Sequence, residues 1–327
     1  MRVYFAVFLL AITVCAAPVL GQTSAPPLDR CINLGNMLEA ANEGDWGLRV
    51  QDYFLSDIAE AGFQTVRIPI KWSAHAEDDA PYAIDPTFMS RIETVVGWAL
   101  AQDLQVIINV HHYDEMATDP ANHEERLIAL WTQIAEYFAD YPSTLVFELL
   151  NEPNSALTPE RWNALIPRLI DAVRPSNPDR WLVIGGGNWN GYWSLPELEL
   201  PEDDHIVATF HYYDPFEVTH QGAEWVNGSG AWLGRMWGTR ADYRALEEAF
   251  ATAQAWADEQ GVALFLGEFG MYHAADWTSR MLYTQAVRET AEMNGFGWCY
   301  WELAAGFGIY DANTRQYNDL LSALIVR

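Results

Sequence analysis

Leu145-Val146-Phe147-Glu148-Leu149-Leu150-Asn151-Glu152-Pro153 is a short apolar run that breaks off in two polar residues and a proline. A run of that length ended by a chain breaker reads as a buried strand. The stretch Trp162–Val173 follows it with the spacing of an amphipathic helix. The same strand-then-helix unit recurs in both directions along the chain. Strand-like runs lie at Ile32–Leu34, Thr65–Ile70, Val106–Val110, Leu145–Leu150, Trp181–Ile184, Ile206–Phe210, Ala263–Leu266 and Gly297–Trp301. Helical patterns lie at Val50–Ala61, Met89–Ala101, Glu124–Tyr137, Trp162–Val173, Tyr243–Ala257 and Ser279–Met293. Too little chain separates the fifth and sixth runs for more than a stunted helix. Eight strands alternating with helices indicate parallel β/α units, and the fold class expected is α/β, a single-domain (β/α)8 TIM barrel. An open doubly wound sheet is the rival, but it wants a glycine-rich turn after an early strand, and Gly35 alone is no such turn.

The 327 residues hold 45 acidic against 18 basic side chains, a formal charge of -27. That balance excludes a nucleic-acid binder that lives off phosphate contacts. Lys71 is the only lysine, a bias that suits either nucleotide composition or adaptation to salt. Fifteen Trp, 15 Tyr and 14 Phe supply flat apolar surface of the kind that sugar rings cover. Residues 1–21 read as a signal peptide, with Arg2, the apolar run Val3–Ala17 and small residues at Ala16, Ala17 and Gly21. A secreted or periplasmic protein is expected, monomeric and with no membrane segment after cleavage; a lipid anchor at Cys15 is disfavoured by the bulky Val14 before it. One catalytic domain is expected over 28–327. Cys31 and Cys299 then remain. A closed barrel would put them on neighbouring strands, yet disulfide geometry is demanding, and two buried free thiols are the expected state.

The ends of the runs carry the chemistry. The first ends in Asn36 and Glu39; the second carries Arg67; the third ends in His111-His112 and the fourth in Asn151-Glu152. Trp189 follows the fifth, His211 and Tyr213 the sixth, Glu268 the seventh and Trp301 the eighth. Barrel enzymes keep their active sites at the C-terminal ends of strands, and a purely structural barrel has no reason to end strand after strand this way. Glu152 and Glu268 form the pair that glycoside hydrolysis needs, one acid to protonate the leaving oxygen and one carboxylate facing the anomeric carbon. Arg67 could hold one of them ionised while the other keeps a raised pKa. Glu148 should sit deeper in the barrel as a hydrogen-bonded group, and Glu302 should be structural. No Cys/His metal pattern occurs, because Leu127 stands where a zincin-like string from His123-Glu124 needs its second histidine. Neither metal nor cofactor is expected.

Asn151-Glu152-Pro153 resembles the signature of glycoside hydrolase family 5, the retaining (β/α)8 glycosidases. Val66-Arg67-Ile68-Pro69, Val110-His111-His112-Tyr113, His211-Tyr212-Tyr213, Gly267-Glu268-Phe269-Gly270 and Tyr300-Trp301-Glu302 resemble the same family, in order, from about Cys31 to Leu324. Asn33–Ala40 with Asn42–Gly47, His220–Trp225 and Trp232–Arg235 resemble its single-domain bacterial β-1,4-glucanases, some of which also cleave mannan. The resemblance implies Glu152 as acid/base and Glu268 as nucleophile. It implies Asn151 on the sugar 2-OH, Arg67 and Tyr213 holding Glu268 ionised, and His211 beside Glu152. His111 and His112 would shape the subsites, Trp301 would lie under the sugar at the cleavage point, Trp189 and Trp225 would flank the cleft, and Asn36 and Glu39 would meet sugar hydroxyls.

The function expected is a retaining endo-β-1,4-glucanase acting on β-1,4-linked polysaccharide, with a β-mannanase or dual enzyme as the alternative. Rivals from other classes are a metal-dependent barrel hydrolase using His111, His112, His211 and Glu268, and a catalytically dead sugar-binding barrel. The long segment from Asp214 to Asp242 should form one wall of an open cleft, with Trp225 facing sugar and Trp232 and Trp237 buried as anchors.

Overall fold

Each apolar run forms a strand: β1 (Cys31–Asn33), β2 (Thr65–Ile68), β3 (Gln105–Asn109), β4 (Leu145–Glu148), β5 (Leu182–Gly185), β6 (Ile206–Tyr212), β7 (Ala263–Phe269) and β8 (Gly297–Tyr300). In the computed structural model, which describes residues 25–326, every strand pairs in parallel with its sequence neighbours, and β8 returns to β1. The fold is a closed eight-stranded barrel wrapped by helices, a single (β/α)8 domain. The signal segment expected over 1–21, with Cys15, lies outside the described residues. Among the described residues no helix is long and apolar enough to cross a membrane.

Strand alternation stacks the barrel interior in layers. The floor is apolar: Cys31, Ile107, Val146, Val183, Val207, Phe265 and Cys299 form one buried cluster, closed from below by Leu28. Two residues further along the strands the interior turns polar, with Asn33 on β1, Arg67 on β2, Asn109 on β3, Glu148 on β4 and Thr209 on β6, each at most 1% exposed. The outward-facing residues pack against the helices in a much larger apolar cluster. The barrel therefore delivers a polar, fully enclosed platform directly beneath its C-terminal mouth.

Cys31 and Cys299 are direct partners in the β1–β8 pairing and are joined by a disulfide. The expectation of two free thiols is corrected. Closure of the barrel sets the two residues in register, side chains inward, so the geometric demand is met by the fold.

The helices Asp52–Ala61, Pro86–Leu100, Pro120–Tyr137, Pro159–Val173, Arg240–Gln260 and Trp277–Met293 match the six helical patterns. Between β5 and β6 only a single turn (Gly187–Asn190) and a 3-10 segment (Tyr192–Glu197) fit. The segment 214–242 is held by buried Gln221, which donates to Val218 and Arg235 carbonyls and accepts from the Gly234 N–H. Trp237 is buried as expected, whereas Trp232 is half-buried, edge-on to Phe216.

Candidate active site

Glu268 does not reach the mouth of the barrel by plain alternation. On β7, Phe265 faces inward, so Gly267 should as well and Glu268 should face out. Instead the pairing slips: Phe210 pairs with Leu266, but His211 pairs with Glu268. This β-bulge places one extra residue on β7 and turns the Glu268 side chain inward. The extra residue is Gly267, and a Cβ there would lie 2.8 Å from Thr209 Oγ1 and 3.0 Å from His211 Nε2. Glu152 lies beyond the end of β4 with φ at +49°, in the left-handed region that costs a non-glycine residue about 1–3 kcal/mol. Asn36, His112 and Trp189 share that backbone state. Strain of this kind collects where side chains must be aimed.

Arg67 organises what lies beneath. Its guanidinium is fully buried and donates to Glu148 from both Nε (2.6 Å) and Nη2 (2.7 Å). Nη1 donates to Asn33 Oδ1 and to Glu268 Oε1, each at 2.8 Å, and Nη2 also donates to Asn151 Oδ1 at 2.7 Å. All the donors are used, which is what a buried charge requires. The Asn151 bond aims its amide Nδ2 at the cleft. Tyr213 donates its hydroxyl to Glu268 Oε2 at 3.0 Å. His211 Nδ1 lies 2.8 Å from Glu152 Oε1 and 3.7 Å from Glu268 Oε2. Its Nε2 is buried without a hydrogen-bond partner among the described residues. The tautomer carrying its proton on Nδ1 donates to Glu152 and leaves only a lone pair unsatisfied.

Burial pushes the Glu152 carboxyl up to about 7; the Arg67 charge pulls against this and Glu148 adds to it. Burial also raises Glu268, opposed by His211 and Arg67. The Arg67 and Tyr213 contacts to Glu268 are as expected, but the Arg67 charge and hydrogen bond offset burial without overcoming it. Burial lowers His211 to about 4, so this imidazole is neutral at ordinary pH. His111 is driven well below its ordinary value by burial and by the neighbouring cationic groups. Asn109 accepts the Ile70 N–H on Oδ1 and so donates Nδ2 to His111 Nδ1, which leaves the His111 proton on Nε2.

Above this lies an open cleft of about 1090 Å³. Twelve of the thirteen residues expected at the site line it; the other, Arg67, lies beneath the floor. Trp301 stacks parallel to His111, ring centres 5.7 Å apart. Trp189 and Trp225 stand 53% and 61% exposed on the walls. Glu39 is buried, accepts the backbone N–H groups of Asn36 and Met37, and is pushed by burial to about 7. Glu148 is the deep hydrogen-bonded group expected, and Glu302 accepts three backbone N–H groups, from Ala304, Ala305 and Phe307. Sequence reasoning missed Asn33 and Asn109, whose signal is a polar residue inside an apolar run. It also missed Lys71, paired with Asp114 at 2.6 Å, and the exposed Trp46 and Trp193, for which loop sequence gives no signal.

Among the described residues one cluster has metal-ligating chemistry: Glu152, His211 and Glu268, with one donor atom of each within 4.8 Å of the others. His111 and His112 do not join it, which corrects the ligand set of the metal-dependent rival. Arg67, 2.8 Å from Glu268, already supplies positive charge there and repels a second cation.

The family model for cellulases, glycosyl hydrolase family 5, matches residues 33–306. Endoglucanase H of Acetivibrio thermocellus is 36% identical over 299 residues, covering 89% of this chain and 32% of that protein. The chain thus spans about a third of the length of that curated relative. Thermotoga maritima Cel5A, solved in complex with cellobiose, is 46% identical with a TM-score of 0.90, covering 91% of this chain and 98% of that one. Its structure with mannotriose matches with the same identity, coverage and TM-score.

Proposed function

The chain belongs to glycosyl hydrolase family 5, and from that premise we propose that it hydrolyses internal β-1,4-glucosidic bonds of cellulose and related β-glucans with retention of configuration. The observation that carries the reading is the closeness of the two carboxyls. Oxygens of Glu152 and Glu268 come within 4.8 Å, matching the short carboxyl spacing of retaining enzymes and leaving no room for both a sugar and a water between them.

Glu268 attacks the anomeric carbon, and the glycosidic bond breaks as the Glu152 proton passes to the leaving oxygen. Glu152, now a carboxylate, takes a proton from water, whose oxygen displaces Glu268 and restores both groups. A Glu152 carboxyl pushed to about 7 still carries its proton at mildly acid pH. The Arg67 and Tyr213 hydrogen bonds fix the orientation of Glu268. Asn151 Nδ2 is free for the sugar 2-OH, a bond that strengthens towards the transition state. Trp301 lies under the reacting sugar, with His111 and His112 beside it. Asn36 and Glu39 meet hydroxyls on the glycone side, and Trp189 and Trp225 flank the cleft. The domain reading is 28–327 as catalytic unit and 1–21 as export signal, so action is extracytoplasmic.

The test is reducing-sugar release from soluble β-1,4-glucan, with Glu268→Gln as the blank and the anomer of the first product read by NMR. Cel5A is solved with mannotriose too, so β-1,4-mannan is the second lane. Release of the β-anomer from glucan, lost in Glu268→Gln, is expected. No release from folded protein, or the α-anomer, overturns the reading.

A further inference from the structure

Trp193 has no part in the chemistry above, yet its indole is 55% exposed on the wall of the same cleft. Four residues earlier Trp189 is 53% exposed on that wall. Two large apolar faces left in water within one concave site mark a binding surface. We propose that Trp193 is a second sugar platform on the leaving-group side, extending the track begun at Trp189 for the reducing-end portion of a β-1,4-linked glucan. This rests on the activity proposed above.

The side is fixed by connectivity. Both tryptophans follow β5, next to the strand that leads to Glu152, and the Trp189 N–H donates to the Pro153 carbonyl at 3.1 Å. Trp301, Asn36 and Glu39 follow β8 and β1, across the barrel mouth. The sugar that receives the Glu152 proton therefore extends towards Trp189 and Trp193.

The mounting is rigid. Gly191 pairs with His211, which ties the segment to β6. Ser194, fully buried, holds its hydroxyl 2.8 Å from both the Gly187 and the Gly191 carbonyl, with one proton to donate between them, and Leu195 is fully buried beside it. The Trp193 indole lies back over its own turn, with Nε1 only 2.7 Å from where a Cβ at Gly191 would be. A platform held this way loses little freedom when a sugar covers it. Asp214 lines the cleft as well and makes no side-chain hydrogen bond among the described residues, so its carboxylate is open to a sugar hydroxyl.

The experiment is hydrolysis of cellohexaose labelled with oxygen-18 at its reducing end, by wild type, Trp193→Ala and Trp193→Tyr, each checked by its thermal transition. Loss of a leaving-group platform moves cleavage towards the reducing end, because fewer units are then held on that side. Trp193→Ala is expected to show that shift with kcat/KM down about tenfold, the scale of one lost stacking contact. Trp193→Tyr, which keeps a ring, restores most of the wild-type pattern. An unchanged cleavage pattern in Trp193→Ala, or a shift towards the non-reducing end, overturns the inference and leaves the proposed activity standing. Wild type that releases nothing from any β-1,4-glucan overturns both.

Discussion

Glu152 and Glu268 lie close enough, with His211 between them, that their protons come off as a coupled pair. The glycosyl transfer proposed above needs Glu152 protonated and Glu268 ionised. As pH rises through about 7, Glu152 loses its proton and kcat/KM on glucan should fall; on the acid side it should fall as Glu268 gains one. A dinitrophenyl cellobioside releases its phenolate without a proton, so its pH profile should lack the basic limb. A basic limb of equal steepness on both substrates would assign it to another group. At this scale the sequence was informative wherever a polar residue ended an apolar run, as Glu152, His211 and Glu268 do. It was uninformative about burial, which depends on the whole barrel. Hence the raised value of Glu268 despite its bond to Arg67 was not foreseen.

The elements were read well in their centres and poorly at their starts. The amphipathic patterns begin at Met89, Trp162 and Tyr243, but the helices begin three residues earlier, at Pro86, Pro159 and Arg240. Apolar periodicity shows only once side chains turn towards the core, whereas a helix begins at its cap: Asp85, Thr158 and Thr239 each accept a backbone N–H of the first turn. The bulge on β7 was equally hidden, since it is defined by pairing with β6 and not by local spacing. It gives a sharp expectation. Gly267→Ala drives a methyl against Thr209 and His211. It should destabilise by about 1–3 kcal/mol through overpacking, and lower kcat about tenfold or more as the aim of His211 and Glu268 is lost. Adding Thr209→Ala should recover part of both, in a double-mutant cycle of denaturant unfolding and steady-state rate. Strict additivity would place the strain elsewhere.

For the whole molecule, eight alternating units were enough to read a closed barrel, because parallel strands with helical crossovers have few other ways to bury both faces. Whether the two cysteines bond was not legible, since their register exists only once β8 meets β1. Replacing both by Ala should cost about 2–5 kcal/mol of unfolding free energy, the range for native disulfides closing long loops. Wild type in reductant should match the variant only after unfolding and refolding, both sulfurs being fully buried. An unshifted denaturation midpoint would mean that the bond adds nothing to closure.

The bond also decides how the molecule carries tension. Its two half-cystines are 268 positions apart and enclose every residue proposed to act on sugar except Trp301. A load applied at the two ends passes from Cys31 to Cys299 through one covalent link, so the strands between them bear no force. Tethered between a surface and a moving support, the oxidised enzyme would lengthen only by the tails outside the link, of which the C-terminal one carries Trp301, while Glu152 and Glu268 would keep their spacing under a pull that would unravel the reduced chain.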